Sequence, residues 1–99
     1  MNKFDDKDVR GRILNTLNNQ YPRAISFKML SYALTAARYD CSKVQLNAHL
    51  VYLQEKGYIK LEKVGHEEFD LSRNMVSLTA KGKDLVEGSI GPDPGVMLL

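Results

Sequence analysis

Residues 42–63 read SKVQLNAHLVYLQEKGYIKLEK. As far as Gly57, Leu46, Leu50 and Leu53 recur at i, i+4 and i+7, the spacing of one face of an α-helix. Beyond it Ile59 and Leu61, with Val64 further on, alternate with Lys60 and Glu62, the period of a strand that buries one side. Ser42 is a candidate N-cap, because its hydroxyl can accept from a first-turn amide that has no partner within the helix. Gly57 suits the left-handed residue that closes the other end. The stretch therefore predicts a helix over 43–56 that turns directly into a strand. Lys43, Gln45, Asn47, His49 and Tyr52 fall largely on faces other than the leucine stripe, where they are expected to meet solvent or a ligand.

Two further helices are expected upstream. Asp5, Asp6 and Asp8 precede Val9, Ile13, Leu14 and Leu17, so acids lie where the helix dipole favours them and an apolar stripe follows. That helix should end near 18–20, ahead of Tyr21-Pro22. Ser26 is the cap of the next, whose Phe27, Leu30, Leu34 and Ala37 share a face as far as about Arg38. Downstream, Met75–Leu78 is a second β-prone run, separated from the first by the polar segment GHEEFDLSRN, so the two runs suit a hairpin with a long tip. Thr79 then caps a short helix, AKGKDLVEG, which Gly82 is expected to weaken. The end, SIGPDPGVMLL, holds two of the three prolines and two of the seven glycines besides Gly88 just before it, and is expected to leave the domain as an extended tail over 89–99. Residues 1–88 form the single domain, since 99 residues rarely support two cores.

Composition narrows the function classes. Hydrophobic residues make up 43% and charged residues 26%, which describes a globular chain and not a disordered one. No apolar run approaches the ~20 residues of a membrane span, and MNKFDDKD lacks the apolar core of a signal peptide, so the cytoplasm is the expected compartment. Cys41 is the only cysteine, which excludes an internal disulfide. A thiolate would be favoured just before a helix, but without a partner cysteine a buried, inert thiol is the simpler expectation. His49, His66, Cys41 and Asp40 lack the compact ligand spacing of a zinc site. There is no phosphate-binding glycine loop, HExxH or GxSxG, so neither catalysis nor a cofactor is expected.

The net charge of +2 is unevenly spread. Residues 9–60 carry eight basic side chains against two acidic ones, net +6, whereas residues 61–99 carry four against seven, net −3. A basic helical half is the electrostatic footprint of a polyanion partner, although a mixed basic face also serves solubility.

Residues 9–86 resemble a winged helix-turn-helix domain of the kind found in MarR- and ArsR-type bacterial repressors. The resemblance lies in Leu46-x3-Leu50-x2-Leu53-x3-Gly57-Tyr58-Ile59, similar to a recognition helix entering the first wing strand, and in Leu78-Thr79-x2-Gly82, similar to the exit from the second. The length, the layout and the GPDPG tail also resemble small winged-helix proteins encoded in Mu-like prophages. The resemblance implies an α+β, mainly α fold: a three-helix helix-turn-helix core, a two-stranded β-hairpin wing and a short C-terminal helix. It implies a homodimeric transcriptional regulator that reads double-stranded DNA in the major groove with helix 43–56. Gln45, Asn47 and His49 would then read base edges, with Tyr52 beside them. Lys43, Arg38 and Lys28, together with Lys60, would hold phosphates, and Arg73 would be the cation of the wing.

The wing tip is acidic, with Glu67, Glu68 and Asp70 beside His66, where a grip on phosphate calls for cations. The alternative function is therefore a winged-helix protein-interaction module that uses the acidic wing and the apolar end Val96-Met97-Leu98-Leu99. Four apolar residues on a free arm need a cover, which a second subunit or another protein would supply.

Overall fold

Four helices and a three-stranded antiparallel sheet build an α+β, mainly helical fold among the described residues, which are 5–64 and 73–98 of the computed structural model. The order is α1 (Asp6–Asn18), β1 (Ile25–Ser26), α2 (Phe27–Ala36), α3 (Lys43–Glu55), β2 (Ile59–Glu62), β3 (Met75–Leu78) and α4 (Ala80–Glu87).

Each helix begins on a side-chain cap. Asp5 accepts from the Lys7 amide, Ser26 from Met29, Ser42 from Gln45 and Thr79 from Gly82, at 3.0–3.2 Å. Such a cap contributes about 1 kcal/mol by satisfying an amide that the helix leaves unpaired. The ends of α2 and α3 share one device. After α3, the Tyr58 amide returns to Leu53 O and the Gly57 amide to Gln54 O, with Gly57 at φ 87°. After α2, the Tyr39 amide returns to Leu34 O and the Arg38 amide to Thr35 O, with Arg38 at φ 67°. Both are Schellman closures, whose pivotal residue is left-handed and usually glycine. In α2 the pivot is an arginine.

The core gathers one face from every helix: Val9, Ile13, Leu14 and Leu17 of α1, Phe27, Leu30 and Leu34 of α2, Leu46, Leu50 and Leu53 of α3, and Leu85 of α4. Tyr58, Ile59, Val76 and Leu78 close it from the sheet side. The strand after Gly57 is thus tied to the same interior as α3. Ile59 pairs with Leu78 and Glu62 with Met75, while β1 pairs on the other edge of β3 through Ile25–Val76 and Ser26–Met75. The third strand is absent from the sequence-based expectation because two residues are too short to display alternation. Position 25–26 is recruited by pairing with β3, a contact of remote chain segments. The acidic residues 66–70 lie outside the described residues.

The C-terminal segment departs from expectation. It carries no helix or strand, yet it does not leave the domain. The Met97 amide donates to Lys7 O at 2.9 Å, Val96 is buried in the core and Leu98 packs at its edge. Of the apolar end that called for an external cover, Val96 and in part Leu98 are therefore covered by the chain itself, while Met97 stays exposed. Gly11 makes this possible: a Cβ there would overlap the Met97 carbonyl.

Candidate functional site

Turning 100° per residue, α3 sorts its side chains into two opposed stripes. Leu46, His49, Leu50 and Leu53 are buried, and Val44, Ala48, Val51 and Glu55 are exposed on the far side. Lys43, Gln45 and Gln54 are exposed along the flanks and Asn47 is half-buried.

His49, expected to read bases, is buried at 8% exposure. The physical reason is its register: three residues after Leu46 and four before Leu53, it belongs to the leucine stripe and faces α1. Its Nδ1 accepts from Arg10 Nε at 3.3 Å, which leaves the proton on Nε2, 3.7 Å from Asp6 Oδ1. Tyr52 is half-buried with the Arg10 guanidinium 3.9 Å above its ring, and its hydroxyl abuts Gly95. Gln45 is exposed, but its Oε1 accepts from the Ser42 amide at 2.9 Å, completing a capping box. This spacing, Ser followed three residues later by Gln, was visible in the sequence.

The cations are better disposed. Lys28 of α2 and Lys43 at the start of α3 line one open cleft together with Phe27, Ser31 and Tyr32. Both lysines are exposed, and Lys28 Nζ stands 5.8 Å from the Tyr32 ring centroid. Arg38 is exposed in the α2–α3 turn, Lys60 is exposed on β2 and Arg73 is exposed two residues before β3. Asn47 and Lys43 flank the outward stripe. Val44, Ala48 and Val51, which sequence reasoning passed over, are its centre. The helical wheel alone would have found them, since they fall opposite the leucines.

Behind α3 lie two polar clusters that fix its other sides. Arg10 reaches His49, the Tyr52 ring and, through Nη1, Gly95 O at 3.1 Å. Asp93, 9% exposed, accepts from Tyr58 Oη at 2.6 Å and from the Gly95 amide at 2.7 Å, and pairs with Lys56 at 2.9 Å. Burial by itself would raise the Asp93 carboxyl, but those donors outweigh it and hold it below its usual range. Burial, then the carboxylate, push the Tyr58 phenol up to about 12. Together these clusters fasten the C-terminal strap to α1, α3 and the α3–β2 turn.

Burial first, then the neighbouring Arg10, lower the His49 imidazole below 6.5, against an opposing pull from Asp6. The folded state thus binds fewer protons than the unfolded chain as pH falls through the unfolded value, so stability must decline in that range. Thermal unfolding followed from about pH 7.5 to about pH 5 is expected to show a falling midpoint, and His49→Gln, which cannot titrate, should flatten the decline. A parallel decline in both proteins would exclude His49 as its origin.

Burial is also the main cause that raises the half-buried Cys41 thiol, followed by Asp40 and Asp6, so the helix start does not make it a thiolate. Among the described residues, no three His, Cys, Asp or Glu side chains gather closely enough to hold a metal ion, and no helix is long and apolar enough to cross a membrane. Neither the family models nor the curated proteins compared with the chain give a match.

Proposed function

We propose that the chain is a winged helix-turn-helix protein that binds double-stranded DNA with sequence preference, as a homodimeric transcriptional regulator, inserting the outward stripe of α3 into the major groove. One observation carries this reading: the only large free face of α3 among the described residues is bordered at its N-terminal end by Lys43 and, across the cleft, Lys28. A groove about 12 Å wide accepts one helix, whose first turns meet the bases while nearby cations meet phosphates. Asn47 beside the stripe is the remaining polar candidate for a base edge. His49 and Tyr52 support α3 from behind.

Arg38 strengthens the reading. A non-glycine residue in the left-handed region costs roughly 1 kcal/mol, and the equivalent pivot after α3 is glycine. Strain at an exposed cation is accounted for if the side chain has work to do on a ligand.

The test is duplex binding by the full chain across salt. Four phosphate contacts give a slope of about −3.6 in log K against log salt, or about 150-fold between ~50 and ~200 mM. Lys43→Ala should weaken binding and reduce the slope by about 1. Arg38→Gly should weaken binding too, yet raise folding stability by up to ~1 kcal/mol. Absence of binding to any duplex at low salt would reject the proposal.

The protein-interaction alternative loses one of its two supports, because Val96 and Leu98 are taken up within the chain.

A further inference from the structure

On the DNA-binding reading above, the polar side chains first expected to face the bases are mostly engaged elsewhere. Gln45 closes the capping box, His49 is buried against Arg10, and Tyr52 is held beneath the same arginine. What α3 presents outward is apolar: Val44 is 79% exposed, Val51 39%, and Ala48 lies between them on the same stripe. Exposed valines on a helix gain nothing from water, so the stripe calls for an apolar occupant. Lys28, Lys43 and Asn47 at its margin call for a polar, negatively charged one.

The floor of the major groove joins both characters, because each thymine projects a C5-methyl group between phosphate-lined walls. We infer that Val44, Ala48 and Val51 form a thymine-methyl-reading stripe, so that the preferred duplex carries thymines opposite the first two turns of α3. Seven residues of helix span roughly 10 Å, which matches about three base-pair steps of ~3.4 Å. Glu55 continues the same stripe at its far end and is exposed. Its carboxylate repels the phosphate backbone, which restricts groove contact to the N-terminal part of the stripe. A purely apolar partner has no use for the lysines at the border.

The experiment uses the full chain. Bound duplexes are selected from a random pool at low salt, and the enriched duplex is rebuilt with deoxyuridine for thymidine, which removes only the C5-methyl groups. Loss of three methyl contacts is expected to weaken binding by up to about 50-fold. The double variant Val44→Ala, Val51→Ala, which keeps only the smaller methyl groups on the stripe, should discriminate between the thymidine and deoxyuridine duplexes much less than the natural chain does. Both side chains are exposed, so its unfolding midpoint serves as the control that it has folded. Equal affinity of the natural chain for the two duplexes, or an enriched motif without thymine, would overturn the stripe while leaving DNA binding in place. Absence of any enriched duplex would overturn both, and a self-association lost in the double variant would then assign the stripe to a second copy.

Discussion

Truncating the chain after Gly91 is expected to cost about 3–5 kcal/mol, a large part of the 5–15 kcal/mol that small domains have. Val96 leaves the core, worth roughly 1.5–3 kcal/mol of apolar burial. Tyr58 Oη loses its carboxylate partner in a buried setting, and Lys56 and Arg10 each lose an acceptor on the strap. For a domain of this size the loss should lower the unfolding midpoint by about 15 °C or more. Gly11→Ala tests the same contact from the other side. In the full chain its methyl group collides with the Met97 carbonyl and should displace the strap. In the truncated chain the collision is gone, and the better helix former should stabilise α1 by up to ~1 kcal/mol. The sign of one substitution thus reverses with the presence of residues 92–99, the non-additivity expected of two segments in contact. If Gly11→Ala has the same effect in both backgrounds, the strap does not dock on α1 in solution.

The second large effect is Gly82→Ala. By helix propensity the change should stabilise α4 by ~1 kcal/mol. The structure reverses the expectation, because a Cβ on residue 82 would overlap the Tyr58 carbonyl, and Leu78 Cδ1 would lie 2.7 Å away. The first obstacle is backbone, and it is fixed: the same carbonyl accepts from the Thr79 amide at 3.0 Å while Thr79 Oγ1 donates to Gly57 O at 2.7 Å. Relief requires α4 to move off the α3–β2 turn, at a net cost of about 2–3 kcal/mol. Chemical denaturation measures it directly, and a stability gain would show that α4 does not approach Tyr58 this closely. Since that turn also sets the end of α3, duplex binding is expected to weaken in parallel with stability.

Much of the fold was legible because it is written in local chemistry. The caps Ser26, Ser42 and Thr79, the pivot Gly57 and the leucine stripe of α3 act within a few residues of themselves, so their spacing suffices to locate helices and the switch to strand. The candidate interface was less legible. Charge alone marks Lys28 and Lys43, but their sharing of a cleft depends on how α2 and α3 pack. The polarity of His49 points it to solvent and its register points it inward, and burial of the imidazole becomes acceptable only once Arg10, 39 residues away, supplies a hydrogen bond.

Capping and hydrophobic period are nearest-neighbour physics, so the starts of α2, α3 and α4, the stop of α3 at Gly57 and the interior position of its leucines are legible from the order of residues alone, whereas the end of α2 at Ala36, closed by a left-handed Arg38, is not. Tertiary structure alone decided that β1 exists, that Gly11 and Gly82 are points of backbone contact, and that the C-terminal segment folds back over α1 and α3. Those outcomes depend on segments far apart in the chain meeting at distances of a few ångströms, where one carbonyl or one methyl group changes the sign of the energy.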